Sequence, residues 1–287
     1  MFSKLLKHEW RANRGLMGLL SLAALGIGIM AAIVLRVLVN YGGEMLSSDD
    51  IALELSAMGM YAMLFFSAVA LCVYAVAVQF VLLYRFYKNK FTDEGYLTFT
   101  LPVKTWQIYW SSLLNMLLWM AISLAVIAVV VSLVVLIGTA KDGFINTDIF
   151  AALDELRYYL GQMDMDEVLQ WEPLDSYMAA GVLQLIQMLI APFYGLIVPM
   201  ACITMGAVLA KKHKILASFG IYYAVNFVVG IVSSVATMVP SVLFLGTADM
   251  GPYMVTTAAI ELIITLGLSL GGYFTTLALM KHKLNLP

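Results

Sequence analysis

TWQIYWSSLLNMLLWMAISLAVIAVVVSLVVLIGTA, residues 105–140, carries no Asp, Glu, Lys, Arg or His. A helix needs about 20 apolar residues to cross a bilayer core of about 30 Å, and this run exceeds that. Its centre, Val126–Val135 (VIAVVVSLVV), does not alternate apolar with polar. A strand of a membrane barrel would have to alternate. In lipid only helices and closed barrels satisfy their own backbone groups, so the run reads as a transmembrane helix.

Five further charge-free runs share this character: Gly15–Leu35, Leu55–Tyr84, Ser176–Ala210, Ile215–Ala248 and Leu262–Met280. The chain of 287 residues is 62% apolar, whereas soluble domains average about 45–50%. The fold expected is therefore an all-α integral membrane protein with six spans. The spans are centred on Gly15–Val39, Leu55–Tyr84, Trp106–Gly138, Tyr177–Ala210, a fifth from Ile215, and Met254–Met280.

Charge separates by side. The N-terminus, Arg85–Lys104, Lys211–Lys214 and the C-terminus hold 13 of the 16 Lys and Arg, with only Glu9, Asp93 and Glu94 as acids. The other side holds Arg36, Lys141 and Arg157 with 14 of the 18 acids. Lys and Arg accumulate in cytoplasmic loops. Both termini are thus expected in the cytoplasm of a multi-pass protein of the cell (inner, cytoplasmic) membrane. Six crossings return the chain to its starting side.

Met1–Arg14 (MFSKLLKHEWRANR) places Lys4, Lys7, Arg11 and Arg14 on one helical face and Phe2, Leu5, Leu6 and Trp10 on the other. This predicts an amphipathic helix lying on the inner surface, its cations toward anionic lipid headgroups. The segment Thr139–Asp175, between spans 3 and 4, carries nine acids. Ile149, Leu153, Leu156 and Leu160 recur there at helical spacing, with Asn146, Thr147 or Asp148 as a cap. A small extracytoplasmic helical cap is expected. Pro192 and Pro199 are expected to bend span 4. Pro240, Gly246, Gly251 and Pro252 predict a break after span 5, with Ser241–Tyr253 dipping back into the membrane.

Arg85–Trp106 reads RFYKNKFTDEGYLTFTLPVKTW. Thr92 is placed to cap a short helix with Asp93 and Glu94 in its first turn. Tyr96, Leu97, Phe99 and Leu101 then put apolar bulk where water is expected, and Pro102 ends the element. Such side chains need cover from the membrane surface or from a partner.

The segment DEGYLTFTLPV, Asp93–Val103, resembles the cytoplasmic loop of ATP-binding-cassette (ABC) transporter permease subunits of the type-2 exporter class. The basic start KLLKHEWR and the six-span plan are similar to that family too. The resemblance covers the whole chain in plan and these two stretches in residues. It implies one permease domain over 1–287, with 1–14 an interfacial helix, 85–104 a coupling segment and 139–175 the acidic cap. It also implies docking on a separate ABC ATPase subunit, and pairing with a second permease subunit, identical or related. Phe91, Tyr96, Leu97 and Phe99 would be docking contacts, with Asp93 and Glu94 as polar partners, and Thr92, Leu101 and Pro102 would belong to the same ATPase-coupling element. ATP and Mg²⁺ would bind that ATPase. The family more often places its larger external element between spans 5 and 6, and here it lies between spans 3 and 4.

No Gly-x-x-x-x-Gly-Lys phosphate loop, His-Glu-x-x-His or Cys-x-x-Cys occurs, so the residues point to no ATPase, metal or catalytic site of the chain's own. Cys72 and Cys202 lie in apolar runs as small buried residues. The basic clusters sit beside spans and read as orientation and lipid contact, with no nucleic acid implied. Inside the spans, Glu261 is the one acid, and Arg36 is its candidate partner by depth. Gln184 and Gln187 share a helix face. These residues, with Pro192 and Pro199, are the expected substrate path or gate. Gly267 and Gly271, with Gly272 beside them, permit a close helix contact.

The function expected is the transmembrane subunit of an ATP-driven exporter. It would move an apolar or amphiphilic substrate (a peptide antibiotic, drug or lipid). A secondary transporter or channel without a motor is the alternative, as is a membrane scaffold or sensor using the acidic cap.

Overall fold

The computed structural model describes residues 2–47, 49–92, 95, 103–141, 143, 145–162, 174–210, 212–245 and 250–282. Among the described residues these α-helices follow in order: α1 (Phe2–Ser47), α2 (Ile51–Phe91), α3 (Thr105–Leu133), α4 (Asp148–Gln162), α5 (Leu174–Leu209), α6 (Lys214–Leu243) and α7 (Gly251–His282). A π-helical turn, Val134–Gly138, extends α3. No strand occurs among the described residues. All but α4 are long and apolar enough to cross a membrane, which makes this a multi-pass membrane protein. The chain divides into two compact units, 1–6 with 83–117 and 164–287, and 7–82 with 118–163.

In the second of these, α1 and α3 run parallel. Trp10 stacks on Trp119 with ring centroids 4.6 Å apart. Further along, a Cβ on Gly28 would meet Val130 Cγ1 at 2.5 Å, and one on Gly138 would meet Leu35 Cδ2 at 3.0 Å. The partners advance together along both helices. α2 returns antiparallel to α1, with Ser21 Oγ 3.2 Å from the Tyr74 hydroxyl. Glycine and alanine make the close approach possible: Ala24, Gly28, Ala31 and Ala32 are all buried on α1. Lipid is as apolar as leucine, so van der Waals packing across small residues holds such helices together.

The first 14 residues are two-faced, with Lys4, Lys7, Arg11 and Arg14 exposed and Phe2, Leu5, Leu6 and Trp10 half-buried. They are not a separate element. α1 is one unbroken helix of 46 residues, and its buried positions Glu9, Asn13 and Met17 lead straight into Ala24 and Gly28. Gly15 has open space around it, and nothing there forces a turn.

The loop after α3 folds back onto that helix. The Asn146 main-chain N–H donates to Leu136 O at 2.7 Å, and its Nδ2 donates to Thr139 Oγ1 at 2.8 Å. Asn146 Oδ1 accepts from the Asp148 N–H at 2.9 Å, so of the three candidates for the cap it is Asn146 that reaches the first turn of α4. On α4, Phe150, Leu153, Leu156, Tyr158 and Tyr159 are exposed. Residues 163–173 of the expected cap lie outside the described residues.

In the first unit α5 and α7 run parallel with α6 antiparallel beside them. Gly272 of α7 sits against Ile197 and Ala201 of α5. Gly267 and Gly271 face open space, so the close contact foreseen at that motif is made one residue further on. Gly206 meets Ser218 across α5 and α6 so closely that a Cβ would collide with the serine's backbone. α5 continues through both Pro192 and Pro199 without interruption. α6 passes through Pro240 to Leu243, and α7 already begins at Gly251. The break came where the prolines and glycines predicted it. Ser241–Leu243 closes α6 and Gly251–Tyr253 opens α7, and residues 246–249 of the segment expected to dip back are outside the described residues.

Replacing Gly28 by Val should cost about 1–3 kcal/mol through overpacking against Val130. Val130→Ala in the same chain should recover part of that loss. Thermal unfolding in a neutral detergent measures both, and an unchanged midpoint for Gly28→Val would contradict the close approach of α1 and α3.

Candidate functional site

α7 carries a polar stripe at helical spacing: Thr257, Glu261, Thr265, Ser269, Gly272 and Thr276. Its later half is buried, with Ser269 and Thr276 inside and Gly272 against α5. Its earlier half opens. Glu261 is exposed, at about 15 Å from the start of α7 by the 1.5 Å rise per residue. Gln187 Nε2 on α5 donates to Glu261 Oε2 at 3.3 Å. Gln184, one turn away on the same helix, is exposed. Gln187 Oε1 is buried with no hydrogen-bond partner among the described residues. The two parallel helices thus touch through glycine at one level and present an acid and two amides at another.

Thr257 Oγ1 donates to Tyr253 O at 2.9 Å, and Thr265 Oγ1 donates to Glu261 O at 2.8 Å. Both hydroxyl protons are spent on the helix itself, which leaves their oxygens as acceptors. A charge this far along an apolar helix costs about 2.5–3.5 kcal/mol on insertion scales. A single amide donor offsets only part of that.

Arg36, the partner expected from depth, belongs to the other compact unit. Arg36 Nη2 donates to Gly143 O in the loop after α3, and Asn40 Nδ2 beside it donates to Ala140 O at 3.2 Å. Arg36 therefore helps clamp that loop, while the amide of α5 serves Glu261. Pro192 is half-buried and Pro199 is buried.

At the end of α2 the sequence foresaw docking contacts. Phe91 is only 4% exposed. It packs edge-on to Phe86 at 5.7 Å and stacks on Tyr87 at 6.3 Å. Its ring braces the helix end and offers no surface to a partner. Thr92 Oγ1 donates back to Lys88 O at 2.6 Å, which ties it to the end of α2. The Gly95 N–H donates to Thr92 O at 2.8 Å. A Cβ on Gly95 would strike the Lys90 carbonyl, so this position has room only for glycine. Asp93, Glu94, Tyr96, Leu97, Phe99, Leu101 and Pro102 lie outside the described residues.

One polar feature was legible in the sequence only at Asn115, an amide inside an apolar run. On α3, Ser112, Asn115, Trp119 and Ser123 recur at three and four residues and are all buried. Asn115 Oδ1 and Trp119 Nε1 have no hydrogen-bond partner among the described residues, nor has Asn13 Oδ1 on α1. Earlier on α3, Tyr109 packs edge-on to Tyr273 at 5.3 Å, and Trp110 Nε1 donates to the Tyr273 hydroxyl at 3.3 Å. The spacing of the serines and Asn115 was the available signal, hidden by the apolar residues between them. Among the described residues no group of His, Cys, Asp and Glu could hold a metal.

The hydrogen bond between Gln187 and Glu261 should appear as a coupling of about 0.6 kcal/mol, the usual scale between membrane helices. A double-mutant cycle with Gln187→Leu and Glu261→Leu, followed by unfolding in detergent, measures it. Strict additivity would contradict the contact.

Comparison with known proteins finds no matching family model, no matching curated protein and no matching solved structure.

Proposed function

We propose that this chain is the permease subunit of an ABC exporter of the type-2 class, driven by a separate ATPase subunit. The observation that carries the reading is the segment Asp93–Val103 (DEGYLTFTLPV) between α2 and α3. It couples apolar side chains to a basic helix end. That chemistry suits a soluble partner better than water.

Three further features support it. The positive charge gathers at the end of α2, at the junction of α5 and α6 and at both termini, which favours a cytoplasmic position for the segment. The brace of Phe86, Tyr87 and Phe91 gives the end of α2 a stiff attachment through which a push can travel. The close approach of Gly95 to the Lys90 carbonyl holds the chain against the end of that brace. In this reading Tyr96, Leu97 and Phe99 make the contacts with the ATPase, and Asp93 and Glu94 are its polar partners. ATP and Mg²⁺ bind there. The docking role drawn for Phe91 passes to its neighbours.

A second permease subunit completes the transporter. Closure of the ATPases shifts the population between two arrangements of the helices. Gln184, Gln187 and Glu261 line the substrate path, and the cargo is apolar or amphiphilic.

A motor-free secondary transporter is the competing reading, favoured by the same intramembrane acid, since ion coupling needs a charge. The two separate experimentally. Co-expressed with its genomic neighbours, the chain should copurify with an ABC ATPase. Tyr96→Asp, Leu97→Asp and Phe99→Asp together should abolish that association, and Gly95→Val should weaken it. Thermal stability of the transmembrane helices should hold in both variants. Purification without any ATPase, with transport driven by an ion gradient alone, would overturn the proposal.

A further inference from the structure

The open half of the α7 stripe has an unusual balance of donors and acceptors. Along it lie the exposed Glu261 carboxylate and, one turn to either side, the half-buried Thr257 and Thr265. Both threonine protons are committed to backbone carbonyls, Tyr253 O and Glu261 O. The Gln187 amide, the donor in contact with the acid, is already committed to it. The face therefore offers a negative charge and lone pairs, with few protons to give.

We propose that this face binds a primary ammonium group carried by an amphiphile, with the alkyl part against the apolar residues of α5 and α7. A primary ammonium brings positive charge and three N–H donors with no acceptor. It meets the carboxylate and a threonine oxygen together, and charge-assisted hydrogen bonds are the strong ones. A quaternary ammonium has the charge but no donor. A fatty alcohol has a single donor and no charge. An anionic head group is repelled. Met254, two turns before the acid on the same helix face and exposed, supplies apolar surface for a chain lying along α7.

The inference rests on the reading of Glu261 as part of the substrate path and narrows the cargo to one chemistry. Two sources carry that chemistry: a free amphiphilic amine or peptide, and the ethanolamine head group of a membrane lipid.

The test is ligand-induced thermal stabilisation of the full chain in a neutral maltoside detergent, at pH 7, where alkylamines are protonated. A ligand that binds only the folded state raises the midpoint in proportion to its affinity. Dodecylammonium should bind the wild type about tenfold more tightly than dodecyltrimethylammonium, the scale of a charge-assisted hydrogen bond or two. Dodecanol should give no shift. Glu261→Gln should remove most of the dodecylammonium shift. Thr257→Val with Thr265→Val keeps the charge and should bring the two ammonium ligands to equal affinity.

Phosphatidylethanolamine set against phosphatidylcholine separates the sources. A shift with the ethanolamine lipid as large as that with dodecylammonium identifies a lipid, and a shift with dodecylammonium alone identifies a free amphiphile. Equal affinity of the two ammonium ligands for the wild type would overturn the proposal, as would an undiminished shift in Glu261→Gln. The measurement needs no ATPase. Failure here leaves the motor-driven reading standing, and ammonium binding without any copurifying ATPase overturns that reading alone.

Discussion

A peptide group buried in hydrocarbon has no water to bond, and leaving it unpaired costs several kcal/mol. This constraint governs the whole chain. It makes every apolar run a helix, it carries α5 through two prolines as one helix of 36 residues, and it confines irregular backbone to the junctions between helices. Where hydroxyls occur in the spans, they too are drawn into the helical ladder. Thr257, Thr265, Ser269 and Thr276 each donate to a carbonyl four residues back.

Since lipid removes the hydrophobic drive between helices, packing depends on how closely they approach. The contacts fall on glycine and alanine: Gly28 and Gly138 where α1 meets α3, Gly206 where α5 meets α6, and Gly272 where α5 meets α7. α1 and α3 run parallel and meet across a glycine, as α5 and α7 do, with α2 and α6 antiparallel to them. Polar residues are then free to serve other ends. Some are buried, as along α3 from Ser112 to Ser123. Others are held open, as at Glu261, and those are the ones with chemistry to offer.

The number and placement of the helices were readable because charge-free runs of this length have one solution in lipid. The end of α6 was readable from Pro240 and the glycines after it. The continuity of α1 was not, since a basic two-faced start has the same pattern whether it lies on a membrane or extends a span. What separates the two is the burial of Glu9 and Asn13 and the stacking of Trp10 on Trp119, contacts distant in sequence. The same holds for Glu261. Its depth suggested Arg36, and the bond that Gln187 on α5 makes to it depends on which helices are neighbours, which depth alone does not give. Phe91 was assigned to docking by the resemblance alone. Its packing on Phe86 and Tyr87 depends on the helical register of α2.

The account turns on which side of the membrane the junction between α2 and α3 occupies. Single cysteines in place of Lys104 and Asp49, in a chain lacking Cys72 and Cys202, can be labelled in intact cells with a membrane-impermeant maleimide. The account predicts that Asp49→Cys, between α1 and α2, reacts at once, whereas Lys104→Cys reacts only after the membrane is opened. Labelling of Lys104→Cys from outside would contradict it, for no cytoplasmic ATPase could then reach that junction.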